Sequence, residues 1–189
     1  MNVQAQEQTP DFIFEEYEDG YQLIRYEGNA ASVTVPSTYE GKPVRAIAAY
    51  AFALNTNMRE LTIPDSVTRM GTSICFACPR IETVTLPFLG TTADDPLTFS
   101  TLMGDSNHTM PLKSVTLTGG TSIGDSAFSR CSALTSITIP AGVTSIGDSA
   151  FSGCTGLTSI TIPDSVTSIG DSAFEDCTGL TAVYISDLS

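Results

Sequence analysis

The sequence is poor in positive charge, and this shortage excludes one class of partner. It has 8 lysine and arginine residues against 21 aspartate and glutamate residues, which gives a formal net charge of −13 at pH 7. No lysine or arginine follows Arg130. A molecule with this charge is repelled by the phosphates of nucleic acid at long range. The sequence therefore predicts no nucleic-acid partner.

Long apolar segments and a recognisable export signal are also lacking. No hydrophobic run approaches the roughly 20 residues of a membrane helix, so direct membrane insertion is not expected. Residues 1–10 are mostly polar and are expected to form a disordered or polar lead-in. This lead-in could follow a removed export signal or could be the native start of a cytosolic protein, and the sequence leaves both open.

Side chains that carry chemistry are scarce and scattered. His108 is the sole histidine, and the serines recur at repeat positions, so no converging Ser-His-Asp triad is predicted. Cys75 and Cys78 form a C-x-x-C motif without the second pair that a zinc site needs, and core packing is the favoured interpretation. Asp94 and Asp105 lack the spacing of a calcium loop. We expect no catalytic residue, metal or cofactor.

Internal repetition is what the sequence has in abundance. Residues 134–156 read LTSITIPAGVTSIGDSAFSGCTG and residues 157–179 read LTSITIPDSVTSIGDSAFEDCTG, so the period is 23 residues. Similar units begin at Leu112 and Met58, a partial unit begins at Leu180, and a degenerate unit surrounds Val33. A period of this length lies within the range of leucine-rich repeats.

The first part of each unit predicts a strand with one buried face. In residues 134–140, Ile137 and Ile139 alternate with Ser136 and Thr138. Alternation with a period of two places apolar side chains on one face and polar side chains on the other. The proline that follows lacks an N–H group and ends the strand. We expect strand centres at Val33, Leu61, Val84, Val115, Ile137, Ile160 and Val183.

The second part of each unit predicts a bend followed by a short helical turn. Gly147 is expected to permit the bend, and Asp148 is expected to cap the turn that contains Phe151. Stacked units would place equivalent side chains in ladders and bury one continuous core. Five cysteines exclude a fully paired disulfide framework, and we expect the ladder cysteines to be buried thiols. The predicted ladders are Phe128, Phe151 and Phe174, and Cys131, Cys154 and Cys177.

The signature LTSITIPxxVTSIGDSAFxxC, matched nearly in full over residues 134–177, resembles the BspA-like leucine-rich-repeat family. A looser match extends back to Val33, so the resemblance covers some four-fifths of the chain. It implies a right-handed, curved leucine-rich-repeat solenoid of about seven turns, mostly β with short helical turns. It also implies display outside the cell or at the cell surface, and adhesion to proteins or to other cells.

The chain is expected to form a single leucine-rich-repeat domain over residues 11–189. Residues 11–30 predict a capping β-hairpin around Asp19-Gly20, and residues 31–189 hold the repeats. Residues 88–111 interrupt the third unit. One interpretation is a loop whose Phe88, Leu89, Phe99 and Leu102 replace missing ladder residues; the other is a recognition loop.

The expected function is binding of a protein ligand, such as a host, matrix or cell-surface protein, through the concave strand surface. The alternative is a spacer or assembly module of a larger surface protein with no ligand of its own. Residues 60–111 are expected to centre recognition, because the later units are nearly identical. The other interpretation is that the arginines of this part only solvate the convex face and pair with nearby acids. The candidate binding residues are Glu60, Thr62, Thr83, Thr85, Ser114, Thr116, Ser136, Thr138, Ser159, Thr161 and Tyr184, together with Arg59, Arg69 and Arg80.

Overall fold

The structure, a computed structural model, describes residues 11–92, 95–104 and 110–186, without the side chains of residues 91–96. Short strands dominate, and the described part of the chain has one short helix. The elements are β1 (Phe12–Tyr17), β2 (Gly20–Tyr26), β3 (Ser32–Thr34), β4 (Thr38–Tyr39), β5 (Lys42–Ile47), β6 (Glu60–Thr62), β7 (Arg69–Met70), β8 (Thr83–Leu86), β9 (Gly90–Thr92), β10 (Asp95–Pro96), α1 (Phe99–Met103), β11 (Ser114–Leu117), β12 (Ser122–Ile123), β13 (Ser136–Thr138), β14 (Ser145–Ile146), β15 (Ser159–Pro163), β16 (Ser168–Ile169) and β17 (Ala182–Ser186).

The chain winds as a mostly β solenoid of about seven turns, as predicted. Each turn, called a unit here, contributes one strand to one side of the coil: β3, β6, β8, β11, β13, β15 and β17 in order. These strands pair in parallel and in register, so that Val84 lies beside Val115 and Val115 beside Ile137. Pairing is continuous from β3 to β13 and resumes between β15 and β17. We call the outward surface of these seven strands the strand face.

The opposite side of the coil holds a second set of strands. β12, β14 and β16 pair in parallel, with Ile123 beside Ile146 and Ile146 beside Ile169. At the amino-terminal end, β1 and β2 form an antiparallel hairpin, and β2 continues in parallel onto β5. The ring of Tyr26 lies 6.1 Å from that of Phe52, so the hairpin packs on the first unit.

Phenylalanine rings stack from unit to unit through the core. Phe151 lies 5.4 Å from Phe128 and 5.3 Å from Phe174, with interplanar angles of 9° and 3°. Phe99, in α1, lies 5.8 Å from Phe128 and extends the same stack into the interrupted unit. Phe88, Leu89 and Leu102 are buried as well. The interrupted unit thus packs as the ladder-replacement interpretation predicts.

The cysteine ladder ties each unit to the preceding one. The Cys154 thiol donates to the carbonyl oxygen of Phe128 at 3.1 Å, and the Cys177 thiol donates to that of Phe151 at 3.0 Å. None of the five cysteines is in a disulfide. The expectation of full burial holds for Cys154 but is wrong for Cys131 and Cys177, which are half-buried.

Two local predictions about the turn are wrong. Ser149 has a φ of +54°, which interrupts helical geometry, so residues 148–153 form tight turns instead of a helical turn. The Asp148 carboxylate does not cap its own turn; it accepts the backbone N–H of Asp171, in the next unit, at 2.8 Å. Gly147 is required by close approach, because a Cβ there would collide with Asp125 of the preceding unit.

Candidate functional site

The strand face gathers the predicted polar positions into two columns. Thr83, Ser114 and Ser136 are register neighbours in the first column. Thr85, Thr116 and Thr138 are neighbours in the second. Every candidate on this face is exposed or half-buried. The column members are Glu60, Thr83, Ser114, Ser136, Ser159 and Ala182, and Thr62, Thr85, Thr116, Thr138, Thr161 and Tyr184.

Most of this face is neutral, and a few hydroxyl groups on it and beside it form hydrogen bonds within the chain. Ser136 donates its hydroxyl to the Ser114 hydroxyl at 3.0 Å. Beside the columns, the hydroxyl of Thr135 donates to the carbonyl oxygen of Lys113, and that of Thr181 donates to the carbonyl oxygen of Thr158. Small hydroxyl side chains rarely dominate a protein interface, where Tyr, Trp and Arg are the usual hot spots. Specific recognition therefore needs other groups.

Charged groups form a third column along the edge of the strand face. The guanidinium of Arg59 and the ammonium of Lys113 both bind the Glu82 carboxylate, with Lys113 Nζ 2.8 Å from Glu82 Oε2. The hydrogen bond from Lys113 is the main cause that lowers the pKa of Glu82. Each side chain remains at least partly open to solvent. A partner could therefore reach all three charges.

Glu82 and Lys113 were missed as candidates, although the sequence contains a signal for them. Aligning the units places Arg59, Glu82 and Lys113 at one repeat position, directly before the strand. The same position holds Thr135 and Thr158 in the later units. The charge at this position is therefore confined to the earlier units.

The other two candidate arginines do not join Arg59 at the strand face, and they do not form a patch together. Arg69 lies on β7, which pairs with β5 in the second set of strands. Arg80 lies in a turn before β8, and it is exposed. Within the described residues, neither arginine forms an ion pair. Of the three arginines, only Arg59 adjoins the strand face through a described contact with Glu82.

An exposed apolar group on the turns was also missed. Tyr50 and Phe76 meet edge to face with ring centroids 6.0 Å apart, and Leu54 is 73% exposed. Unit alignment gives a signal here too, since the positions of Tyr50 and Leu54 hold Ser149 and Gly153 in a later unit. Tyr50 and Leu54 both have positive φ angles, which bulky residues adopt only at a cost.

The residues that the sequence offered for catalysis or metal binding lie partly inside and partly outside the described ranges. His108, Asp94 and Asp105 lie outside the described residues. Cys75 and Cys78 are both buried, and burial raises the pKa of the Cys75 thiol. Over the ranges that the structure describes, there is no group of three His, Cys, Asp or Glu side chains that could hold a metal ion. Nor do these ranges contain a helix long and apolar enough to cross a membrane.

Sequence comparison matches most of the chain to one family. The family model of the BspA type leucine rich repeat region matches in 6 copies, over residues 26–101 and 106–188. Among curated proteins, none matches the chain.

Solved bacterial structures share the fold. A leucine-rich cell surface protein from Faecalibacterium prausnitzii is 27% identical, with a TM-score of 0.58 over 100% of this chain and 56% of that one. The Treponema pallidum (T. pallidum) leucine-rich repeat protein TpLRR is 25% identical, with a TM-score of 0.51 over 95% of this chain and 71% of that one. A leucine-rich repeat protein from Bacteroides ovatus is 27% identical, with a TM-score of 0.50 over 92% of this chain and 39% of that one.

Proposed function

Since the chain belongs to the family of BspA-type leucine-rich repeats, we propose that it is a non-catalytic module that binds a protein ligand outside the cell. The ligand class is a host, matrix or cell-surface protein. Support for the location comes from the Faecalibacterium prausnitzii relative, which is described as a cell surface protein. This chain spans 56% of that relative's length, so the location is carried over as part of the proposal.

The observation that carries the proposal is the contrast within the strand face. The later units offer repeated small hydroxyl side chains, whereas the earlier units add Glu60 and the charged column of Arg59, Glu82 and Lys113. A specific partner needs groups that differ from their background. On a chain with a net charge of −13, Arg59 and Lys113 also give a local field of the rarer sign. These groups support recognition centred on residues 60–111, with Arg59 and Lys113 directly beside that range.

The interruption at residues 88–111 contributes less to this proposal than its sequence suggests. Phe88, Phe99 and Leu102 are buried in the core, so replacing the whole segment would disturb packing along with any surface. Exposed Thr101 lies on α1, but residues 105–109 are outside the described part. Tests of recognition are better made at the charged column, where substitutions leave the core intact.

The alternative is a spacer module without a ligand of its own, and the near identity of residues 134–156 and 157–179 favours it. A binding screen separates the two. The purified chain is applied to an array of matrix and host cell-surface proteins at physiological ionic strength, and retained pairs are confirmed by surface plasmon resonance. The binding proposal predicts at least one partner of micromolar or tighter affinity. A screen without such a partner would support the spacer.

A further inference from the structure

The second unit has a cysteine at a core position where the repeat signature has a phenylalanine. When residues 58–80 are aligned with residues 134–156, Cys75 occupies the position of Phe151 and Cys78 occupies that of Cys154. Each of the other three cysteines is the only one in its unit. The replacement of phenylalanine by cysteine therefore brings two thiols into one unit, at positions that both face the core.

The backbone holds the two cysteines at the ends of one tight turn. The N–H of Cys78 donates to the carbonyl oxygen of Cys75 at 3.1 Å, and Ala77, between them, has a φ of +57°. The Cα atoms of the first and fourth residues of such a turn lie less than about 7 Å apart. A disulfide needs a Cα separation of about 4.4–6.8 Å. The turn can therefore accept a disulfide with little change in the backbone.

The two side chains are in contact as well. The Cys78 thiol donates to the carbonyl oxygen of Phe52 at 3.0 Å, and the thiols of Cys75 and Cys78 share a hydrogen bond. That hydrogen bond lowers the pKa of Cys78, whereas burial is the main cause that raises the pKa of Cys75. Cys78 is therefore the sulfur that loses its proton first, and the thiolate is the reactive form of a cysteine.

We propose that Cys75 and Cys78 form a disulfide when the chain folds in the presence of a low-molecular-weight disulfide. The Cys78 thiolate attacks one sulfur of the small disulfide, breaks its S–S bond and releases one small thiol. The Cys75 thiolate then attacks the Cys78 sulfur of this mixed disulfide and releases the second small thiol. The pair loses two electrons and two protons, and the small disulfide is reduced to two thiols.

The disulfide forms while the second unit is still open. Cys75 and Cys78 are 0% and 1% exposed in the folded chain, so the exchange precedes packing of the turn or accompanies its local opening. Once the bond has formed, Cys78 no longer donates to Phe52, and a covalent link within the second unit replaces that tie between units. The pair lies outside the charged column, so the inference does not depend on the proposed function.

A refolding experiment tests whether this pair is the one that forms. The reduced chain is unfolded in urea and diluted into buffer with hydroxyethyl disulfide, which is neutral and is therefore not repelled by the net charge of −13. Free thiols are then alkylated in urea, and peptides are mapped by mass spectrometry. Most folded chains should contain a Cys75–Cys78 disulfide and no other internal disulfide. Recovery of the pair mainly as free thiols or as mixed disulfides would overturn the proposal.

A redox titration separates the contribution of the fold from that of closeness in sequence. The chain is refolded, or kept unfolded in urea, at a series of ratios of small disulfide to the square of small thiol, and the oxidised fraction of the pair is measured. The folded chain should reach half-oxidation at a ratio at least about tenfold lower, which corresponds to a reduction potential about 30 mV more negative. An equal or higher ratio for the folded chain would contradict the geometry proposed for the turn.

Reduction of the disulfide tests whether it is enclosed. Dithiothreitol is added to the oxidised chain in buffer and in urea, and the appearance of the Cys75 and Cys78 thiols is followed by alkylation. Because both side chains are buried, reduction in buffer should be at least about tenfold slower than in urea. Equal rates would show an exposed bond and would overturn the buried position assigned to it.

Two variants serve as matched controls for the refolding experiment. Cys75→Ala removes one thiol of the pair, and Phe76→Ser changes the residue between the cysteines, which is 48% exposed, to the serine of the repeat signature. Folding of both is checked by circular dichroism. Cys75→Ala should contain no internal disulfide, whereas Phe76→Ser should form the bond in the same yield as the original chain. An internal disulfide in Cys75→Ala would assign the bond to other cysteines and refute the proposal.

Discussion

Gly147 and Asp148 show how contacts between units decide which residue a position accepts. A side chain at Gly147 would collide with Asp125 of the preceding unit, and the Asp148 carboxylate accepts an N–H of the following unit. Neither partner is close in sequence. The local pattern Gly-Asp-Ser-Ala-Phe therefore predicted a bend and a capped helical turn, since it contains no information about the neighbouring units. The positive φ of Ser149 could not be predicted for the same reason.

Gly147→Ala should destabilise the chain. The added methyl group meets both the side chain and the backbone of Asp125, and forcing extra atoms into a packed site costs about 1–3 kcal/mol. The free energy of unfolding is measured with urea. Gly142→Ala is the control in the same unit, because its Cβ would have Gly120 O, 3.3 Å away, as its nearest neighbour. Equal stability losses in the two variants would contradict the close-approach explanation.

The cysteines should differ in reactivity according to their burial. Cys75 and Cys154 are buried, and burial raises the pKa of both thiols. Less thiolate is then present in mildly alkaline buffer, and the alkylating reagent cannot reach it. With iodoacetamide and mass spectrometry, these two should be modified only after denaturation, while half-buried Cys131 and Cys177 react first. Early labelling of Cys154, or a disulfide between ladder cysteines, would refute this assignment.

At the scale of elements, the units are held together by stacked side chains. Phe151 is fully buried between two parallel rings, while Phe174 is half-buried. α1 belongs to the same stack through Phe99, although the interrupted unit lacks the repeat signature. A position in the middle of the stack therefore has partners on both sides, and its loss opens a cavity.

Phe151→Ala should cost about 3–5 kcal/mol of stability, as removal of a fully buried phenylalanine does. Urea unfolding followed by circular dichroism measures the loss. Phe174→Ala, at a half-buried position with a described ring contact to Phe151 alone, should cost less. A loss below about 1 kcal/mol for Phe151→Ala would contradict the ladder register.

A structural element could be predicted where the residues of a single unit determine it. It could not be predicted where it depends on contacts between two units. The alternation of Ile137 and Ile139 with polar residues predicted β13, and the Asp19-Gly20 turn predicted the β1–β2 hairpin. The missing pairing between β13 and β15 could not be predicted, because residues 134–140 and 157–163 are identical. Identical strands contain no sign that they are unpaired with each other while β15 and β17 are paired.

At the scale of the whole molecule, charge is distributed unevenly along the coil, and few basic residues balance the acidic ones. After Arg130 every charged residue is acidic, and the described ion pairs all lie before that point. The carboxyl-terminal units therefore repel one another, and the repulsion is screened by salt.

Sodium chloride should raise the urea midpoint of the chain. Moving from about 0.01 M to about 0.15 M salt shortens the Debye length from about 30 Å to about 8 Å, which weakens repulsion among exposed acids more than it weakens the few surface ion pairs. The control is potassium glutamate at the same ionic strength. It separates screening, which depends on ionic strength, from effects on stability that are specific to the type of ion. A midpoint that falls with added salt would show that ion pairs outweigh repulsion.

The candidate surface could be predicted in part. Strand alternation correctly identified the outward-facing columns, such as exposed Thr138 and Thr161, because one period decides which side chains point outward. It could not show that Arg69 lies in the second set of strands, or that Glu82 joins Arg59 to Lys113. These positions and contacts depend on how the units stack. Because of them, the candidate site lies at one edge of the strand face.

The claim that specific recognition lies in the charged column is tested most directly by one pair of variants. Arg59→Glu reverses a charge in the column, and Thr158→Glu adds the same side chain at the equivalent exposed position of a later unit. Affinity for a ligand from the binding screen is measured by surface plasmon resonance for both. We predict at least about tenfold weaker binding for Arg59→Glu and little change for Thr158→Glu. Unchanged binding by Arg59→Glu, with weakened binding by Thr158→Glu, would contradict the account.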